Sequence, residues 1–170
     1  MRWRSRSPEE TRAGARELAE ELGEGGACIA LLGDLGAGKT VFAKGVAGGL
    51  GVPEALLASP TFTIAHELPT ARGLPLVHAD LFRVEGAAEL EAAGFTDWLA
   101  PGVVLLVEWA DRLPGELPPD HLEVRLRRPP EAPEVREVEA RAHGPASAAL
   151  LARWRARRAA AGVPLTDCAA

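Results

Sequence analysis

Hydrophobic and polar positions divide the chain into two kinds of strand. Ala27–Leu32 and Val103–Trp109 contain continuous apolar runs, which are typical of strands buried on both faces of a parallel sheet. Leu74–Leu81 predicts another strand of that sheet. His121–Arg128 and Val135–Ala142 instead alternate apolar with polar residues. This alternation predicts an antiparallel pair with one solvated face.

Four segments outside these strands are predicted to be helical. Pro8–Leu22 follows Ser7 as a capping residue and has proline in its first turn, and both features are typical of helix starts. Thr40–Leu50 has apolar residues at helical spacing, and Ala87–Ala93 predicts a shorter helix. Ala146–Ala161 predicts an arginine-rich helix, which a loose tail follows.

The order of strand, glycine-rich loop, helix and further buried strands predicts the fold class. We expect an α/β fold of the P-loop NTPase kind, a three-layer sandwich with a mostly parallel sheet and an antiparallel C-terminal strand pair. Ligands in such folds bind at the carboxyl ends of the strands. Residues 1–145 are expected to form the P-loop domain, and residues 146–170 a helix and tail packed on it or extending from it.

The glycine-rich loop carries the strongest chemical signal. Residues 33–40 fit G-x-x-x-x-G-K-[ST]. The glycines allow backbone conformations in which successive N–H groups point at phosphate oxygens, and the helix that follows favours an anion at its start. Lys39 is expected to reach the outer phosphates, and the Thr40 hydroxyl to ligate Mg²⁺. The predicted nucleotide-binding residues of the loop are Gly33, Asp34, Leu35, Gly36, Ala37, Gly38, Lys39 and Thr40.

A P-loop enzyme also needs a carboxylate at the end of a neighbouring strand to hold the metal or orient water. Glu108 ends the apolar run that starts at Val103 and is the first candidate; the alternative is an exposed strand-end glutamate. Asp80 follows the strand residue Ala79 and is the second candidate; its alternative is a cap of a helix or turn. Lys39, Glu108 and Asp80 are therefore the predicted catalytic residues.

Hydroxyl-bearing residues follow the P-loop helix on an extended, proline-interrupted segment. Such a segment is able to close on the γ-phosphate as a switch. The predicted switch consists of Ser59, Pro60, Thr61, Phe62 and Thr63.

Two residue types that are absent from the sequence indicate which nucleotide is bound and how fast it is hydrolysed. The sequence has no Asn, so the Asn-Lys-x-Asp device by which many P-loop proteins recognise guanine is absent, and ATP is favoured. It also has no Gln, which small GTPases use to orient the attacking water. We therefore predict that ATP turnover is slow or depends on a partner.

Composition narrows the function class. The 170 residues are 47% hydrophobic and 25% charged with a net charge of −5, as in an ordinary globular protein. This net negative charge argues against nucleic-acid binding across the whole protein surface, and DNA is not an expected partner. Cys28 and Cys168 are predicted to be free thiols. No signal-peptide or membrane-spanning pattern is present, and a cytoplasmic location is expected.

Several side chains allow two interpretations. Trp109 is more typical of a core residue than of a ligand contact, and His66 and His78 are interpreted as structural because neither has a partner at metal-ligand spacing. Seven arginines either form a basic face or belong to a solvated surface balanced by glutamates. They are Arg125, Arg127, Arg128, Arg153, Arg155, Arg157 and Arg158.

The order of motifs resembles a known family. The loop at 33–40, Ser-Pro-Thr-Phe-Thr at 59–63, His-Ala-Asp-Leu-Phe-Arg at 78–83, Glu-Leu-Glu at 89–91 and Val-Glu-Trp at 107–109 together resemble the bacterial TsaE family. The resemblance runs from about Ser7 to Arg141. That family is the ATPase component of tRNA N6-threonylcarbamoyladenosine biosynthesis. The chain departs from it at Phe82, where tyrosine is common, and at Ala110, where proline is usual.

The resemblance implies roles for individual residues. Thr40 and Glu108 would hold Mg²⁺, and Asp80 would lie close to the metal and the γ-phosphate. Thr11 would lie against the adenine side of ATP. Val135 and Arg136 would cover the nucleotide from the other side.

The resemblance also implies partners. The family works with a TsaB–TsaD heterodimer that transfers the carbamoyl group to adenosine 37 of tRNAs reading ANN codons, and ATP hydrolysis resets the complex between turnovers. Contact with tRNA is expected to be indirect or weak. Two alternatives remain open: a nucleotide-gated binding module without essential hydrolysis, and a P-loop kinase for a small metabolite. The loop Asp111–Pro119 argues against the kinase because it has only Arg112, where such kinases carry an arginine-rich lid.

Overall fold

The structure is a computed structural model, and it describes residues 1–53, 56 and 63–168. One seven-stranded sheet in the order β1-β7-β6-β2-β5-β4-β3 runs through the molecule. Strands β6, β2, β5 and β4 run parallel to one another, whereas β7 pairs antiparallel with β6, β1 with β7 and β3 with β4. The strands are β1 Arg2–Ser5, β2 Ala27–Leu32, β3 Ala65–Leu68, β4 Leu76–Asp80, β5 Val104–Glu108, β6 Leu122–Arg127 and β7 Arg136–Ala142.

Helices cover the sheet on both faces. One layer contains α1, α2 and α5, which pack on one face, and the shorter helices α3 and α4 pack on the other. Two short 3-10 turns, Ala110–Arg112 and Pro114–Glu116, follow β5. The helices are α1 Pro8–Glu20, α2 Lys39–Gly49, α3 Ala87–Ala92, α4 Phe95–Trp98 and α5 Pro145–Ala160.

The apolar patterns account for the predicted elements. Parallel β2 and β5 are buried along nearly their whole length, as their continuous apolar runs predict. In antiparallel β6 the alternate residues Leu122, Val124 and Leu126 are fully buried, as period-two alternation predicts. The mostly parallel α/β sandwich with an antiparallel C-terminal pair is therefore confirmed.

Strand β1 was not predicted. Its four residues Arg-Trp-Arg-Ser are too few and too charged to show an apolar period. Its place in the sheet is decided by pairing with β7, which buries Trp3 and Ser5 among the helices of the first layer.

The C-terminal helix is joined to α1 by packing and by charge. Trp154 is fully buried and its indole Nε1 donates to the carbonyl of Gly14 at 2.9 Å. Each arginine of α5 meets a carboxylate: Arg158 with Glu17, Arg157 with Glu20 and Glu21, Arg153 with Glu21 and Arg155 with Asp167. These pairs favour the balanced-surface interpretation of the α5 arginines over a free basic face.

Two smaller observations complete the fold. Cys28 and Cys168 are both free, as predicted, and burial raises the pKa of the Cys28 thiol to about 12. In the described part of the chain, none of the helices combines the length and the apolar character that crossing a membrane requires.

Candidate functional site

A cavity of about 550 Å³ lies where β2, β4 and β5 end and α2 begins. Its position agrees with the rule that α/β folds bind ligands at the carboxyl ends of their strands. Most of the residues predicted for the site line it. These are Thr11, Leu35, Gly36, Gly38, Lys39, Thr40, Thr63, Asp80, Glu108, Trp109 and Arg136.

The glycine-rich loop has the conformation that its sequence predicts. Gly33, Gly36 and Gly38 have φ values of 137°, 76° and 106°, a region that other residues rarely enter. A Cβ on Gly33 would also lie 2.2 Å from the carbonyl oxygen of Leu126. The loop leads directly into α2, whose N-cap is Gly38. An anion placed here would meet the positive end of an 11-residue helix.

Lys39 is folded back on its own loop. Its Nζ donates to the carbonyl oxygens of Gly33 at 2.5 Å and Asp34 at 3.0 Å, and lies 3.4 Å from the centre of the Trp109 ring. Burial lowers the pKa of this ammonium group, although the nearby Glu108 opposes that shift. Lys39 is also almost completely buried, with only 4% of its surface exposed.

Glu108 is held between two donors at the end of β5. Thr40 Oγ1 donates to one carboxylate oxygen at 2.9 Å, and His78 Nε2 lies 2.9 Å from the other. An ionised carboxylate only accepts hydrogen bonds, so this pair requires the proton on His78 Nε2. Glu108 is 1% exposed, and the interpretation of it as an exposed strand-end residue is wrong.

His78 belongs to the site, although its sequence context gave it only a structural role. It lies on β4 two residues before Asp80, so both side chains leave the same face of the strand. Parallel pairing of β4 with β5 sets Asp80 opposite Glu108. The His-x-Asp spacing on a strand beside the Glu108 strand was the available signal for this contact.

Asp80 combines the two roles that its position allowed. Its Oδ1 accepts a hydrogen bond from the backbone N–H of Phe82 at 2.9 Å, as a turn cap does. It also lines the cavity beside Glu108. Burial raises the pKa of this carboxyl, and the neighbouring charge of Glu108 raises it further.

Trp109 forms a wall of the cavity. Its φ of 58° is the only positive value among the non-glycine residues that the structure describes, and it turns the chain sharply after β5. Its half-buried ring packs against the apolar core between the sheet and helices α3 and α4. The centre of the ring lies 3.4 Å from Lys39 Nζ and 4.8 Å from the centre of the Phe82 ring. The interpretation of Trp109 as a core residue alone is therefore wrong.

The cavity wall also contains Thr11 and Arg136. Thr11 is buried, and its Oγ1 lies 2.7 Å from Ser5 Oγ and donates to the carbonyl oxygen of Ser7. Arg136 donates weakly to the carbonyl of Gly36 at 3.4 Å, so β7 reaches across to the loop. Its neighbour Val135 is not part of the described cavity wall.

Some predicted residues lie behind the wall or outside the description. Gly33 and Asp34 act through carbonyls that hold Lys39, and Ala37 is buried under the loop. Of the predicted switch, Thr63 lines the cavity. The other switch residues, Ser59, Pro60, Thr61 and Phe62, lie outside the described residues.

Comparison with known proteins places these motifs in context. The profile of the family described as threonylcarbamoyl adenosine biosynthesis protein TsaE matches residues 5–138. A protein named tRNA threonylcarbamoyladenosine biosynthesis protein TsaE from Bacillus subtilis is 41% identical over 75% of this chain and 78% of its own length. A protein of the same name from Streptomyces coelicolor is 40% identical over 72% of this chain and 86% of its own.

A solved structure has the same architecture. The crystal structure of Bacillus subtilis YdiB superposes with a TM-score of 0.71 at 34% sequence identity. The match covers 92% of this chain and 95% of that one. The two proteins therefore share their fold over nearly the whole of both chains.

Proposed function

This chain belongs to the TsaE family, and we propose that it is a magnesium-dependent ATPase required for the threonylcarbamoyladenosine modification of tRNA. The relatives that it resembles are named for that biosynthesis. The proposal assigns ATP and Mg²⁺ as its cofactors. TsaD-like and TsaB-like subunits are its proposed partners, and any contact with tRNA is indirect or weak.

One observation carries the proposal. Thr40 at the start of α2 and Glu108 at the end of β5 are joined by a hydrogen bond of 2.9 Å, although 68 residues separate them in sequence. Lys39 lies beside this pair. A hydroxyl, a strand-end carboxylate and a lysine at a helix start are the groups with which P-loop proteins hold a nucleotide and its metal.

The residues fit a triphosphate. Gly36 and Gly38 leave the loop free of side chains that would block a phosphate, and a Cβ on Gly36 would meet nothing within 4 Å. Among the described residues, the contacts of Lys39 Nζ are two backbone carbonyls and the aromatic face of Trp109. A phosphate oxygen is a stronger, charged acceptor for the same ammonium group.

The residues also fit a magnesium ion. Buried Glu108 and half-buried Asp80 offer carboxylate oxygens on neighbouring strands. The Asp80 carboxyl has a raised pKa because burial and the charge of Glu108 disfavour its ionised form. A divalent cation would remove that penalty. Mg²⁺ is usually held by one or two carboxylates together with substrate phosphates, which this arrangement provides.

Each residue then has a defined task in hydrolysis. Bound Mg²⁺ would neutralise charge on the phosphates. The loop N–H groups and Lys39 would hold the β- and γ-phosphates, Thr40 and Glu108 would fix the metal, and His78 would keep the Glu108 carboxylate in place. Asp80 lies at the same edge of the sheet and would orient the attacking water as a hydrogen-bond acceptor.

Slow turnover by the isolated chain is part of the proposal. The sequence has no Gln that could orient the attacking water. Arg83 is among the residues that line the cavity. We expect partner subunits to accelerate hydrolysis by completing the site. Hydrolysis would then reset the complex between rounds of tRNA modification.

Binding is tested first with the purified protein. Calorimetric titration with ATP and magnesium at up to millimolar concentrations should show one binding site, and chelation of the metal should weaken it. If no heat is detected and crystals soaked in ATP have an empty loop, the proposed function is wrong.

Hydrolysis is tested in a reconstituted tRNA-modification assay. Glu108→Ala should bind ATP but support no more than one round of modification per protein complex. Full multi-turnover modification by this variant would instead identify the chain as a nucleotide-gated binding module. Transfer of the phosphate to an added metabolite would identify it as a kinase.

A further inference from the structure

A second large groove lies away from the nucleotide cavity. It has a volume of about 870 Å³ and runs along β1, between α1 and the segment that follows α5. Its walls include Arg4 of β1, Ala13 of α1 and Pro164 of the C-terminal segment. None of these residues lines the nucleotide cavity, so the groove is a separate feature.

Strand β1 presents an open backbone edge to this groove. Met1 and Ala140 exchange two backbone hydrogen bonds, of 3.0 and 2.8 Å. In an antiparallel ladder such pairs alternate with residues whose N–H and C=O point the other way. With β7 on one side, the backbone groups of Arg2 and Arg4 therefore point outward, toward the groove.

Part of that edge is already paired by an added strand. Arg2 and Thr166 exchange backbone hydrogen bonds of 2.8 and 3.0 Å in antiparallel orientation. Continuing this pairing would place Pro164 opposite Arg4, and proline has no N–H to donate. Among residues 1–53, 56 and 63–168, no hydrogen bond uses the outward N–H or C=O of Arg4. The edge thus accepts an extended strand but is filled at only one position.

Charge indicates what kind of strand would fit. Among the described residues that line the groove, six are arginines and four are glutamates, whereas the whole chain has a net charge of −5. Neither Arg6 nor Arg127 has an ion pair within the described residues, and both are exposed. The six arginines are Arg2, Arg4, Arg6, Arg125, Arg127 and Arg158.

Two buried residues of the groove wall carry side-chain donors that lack an acceptor in the described part of the chain. Trp3 and Arg158 are 4% and 5% exposed, and they stack with the guanidinium 4.4 Å from the indole ring. Within residues 1–53, 56 and 63–168, neither Trp3 Nε1 nor Arg158 Nε has a hydrogen-bond partner. Buried donors without partners are uncommon, and both belong to residues of the groove wall.

We propose that this groove binds an extended acidic peptide segment, which adds to the open edge of β1 as a further antiparallel strand. Backbone hydrogen bonds to Arg4 would supply affinity, as in other complexes where a peptide extends a sheet. Carboxylates of the segment would meet Arg6 and Arg127. The proposal does not depend on ATP, tRNA or the partner subunits proposed above.

The test uses a capped octapeptide of alternating glutamate and valine, with a lysine–valine peptide as the charge control. Each is titrated into the isotope-labelled full chain, and the indole resonance of Trp3 is followed. The acidic peptide should shift that resonance in a saturable way at up to millimolar concentrations, and the basic peptide should not. Absence of binding by the acidic peptide, or equal binding by the basic one, would overturn the proposal.

Two matched variants separate the backbone from the side chain. Arg4→Ala removes the ion pair with Glu137 but keeps the outward N–H, whereas Arg4→Pro removes both. Because that N–H points away from β7, edge strands tolerate proline at such a position. Arg4→Pro should bind the acidic peptide at least about tenfold more weakly than Arg4→Ala. Equal affinities would show that the edge is not paired.

A charge variant covers the case in which Arg4→Pro does not fold. Arg127→Glu changes an exposed side chain of the groove and leaves the β1 backbone intact. It should weaken the acidic peptide and strengthen the basic one, with unchanged ATP affinity. The proposal is wrong if neither affinity moves in a variant whose thermal midpoint equals that of the wild type.

Discussion

The two halves of the sheet hold their carboxylates differently. In the antiparallel half, Glu139 is hydrogen-bonded by Arg2 at 2.8 Å and by Arg141 at 2.6 Å. In the parallel half, Glu108 is held by a hydroxyl and an imidazole, and Asp80 by a backbone N–H. The pKa values diverge accordingly. For Glu139, burial opposes ionisation but the two arginines lower the pKa to about 2, whereas burial raises the pKa of Asp80.

This difference distinguishes carboxylates that stabilise the fold from carboxylates that are available to bind a ligand. Carboxylates that complete their own ion pairs stabilise the fold and leave nothing to bind. Carboxylates that lack a matching cation keep part of their desolvation cost, and a divalent ion is able to remove it. The predictions below alter one half at a time and ask whether the other responds.

The largest expected effect is on stability, at the packing that supports the antiparallel half. Trp154 is fully buried and meets Trp3 and Phe42 edge to face, with centroids 5.1 and 6.0 Å away. Trp154→Ala should lower the free energy of unfolding by about 3–5 kcal/mol, measured by urea denaturation. Trp154→Phe should lower the free energy of unfolding by a smaller amount. ATP affinity of the folded protein should be unchanged, and a loss of stability below about 1 kcal/mol would show that α5 contributes little.

Next in size is the loss of activity at the loop. Lys39→Ala should reduce ATP turnover by about 100-fold or more, because it removes the positive charge that is proposed to hold the β- and γ-phosphates. Its unfolding midpoint should stay near that of the wild type, since the buried ammonium group also carries a desolvation cost. Lys44→Ala is the matched control, because Lys44 is the only other lysine. Native turnover in Lys39→Ala would refute the site assignment.

A smaller effect is expected from removing the support of Glu108. His78→Leu takes away one of the two donors, at 2.9 Å, so the carboxylate becomes free to turn from its position. Turnover should fall by about tenfold, and half-maximal activity should need more magnesium. Magnesium-dependent ATP affinity, measured by fluorescence, gives a readout without turnover. His78→Gln keeps a donor near the same place and should restore part of the effect; equal behaviour of both variants would contradict the positioning role.

The smallest effect is expected at Glu139. A folded pKa near 2, below the ordinary 4.5, means that its contribution to stability is complete above about pH 4.5 and is lost as the pH falls toward 2. Glu139→Gln should therefore cost about 1 kcal/mol or less at neutral pH, because both arginines are partly exposed. The difference from wild type should shrink in acid. Urea midpoints of both proteins, measured from pH 7 to about pH 2, test this. A stability difference between them that grows in acid would contradict it.

The sequence was informative where local pattern carries the structure. The β2 strand was predicted at its observed bounds, Ala27–Leu32, because a continuous apolar run has few alternatives between glycine-rich turns. The loop at 33–40 was predicted with its chemistry, since its glycines are required by positive φ. The four-residue β1 was missed because it has no period of its own.

Site residues were harder to predict when their role depends on a neighbour in space. His78 gave no metal-ligand spacing, yet the β4–β5 register sets Asp80 opposite Glu108 and brings His78 to the same carboxylate. Trp109 was assigned to the core because aromatic residues usually lie there, but its positive φ turns it into the cavity wall. Neither feature is visible without the paired strands.

By itself the sequence determined the family, the kinds of strand and the loop that phosphate-binding chemistry requires, because these depend on residue types at short spacing. Only the tertiary structure decided which charges are matched: Glu139 meets Arg2 across 137 residues, and Glu108 meets Thr40 across 68. Strand order and register bring such residues together. Since a charge costs little in water and much in a buried site without a partner, that placement determines which carboxylates stabilise the fold and which are left to bind.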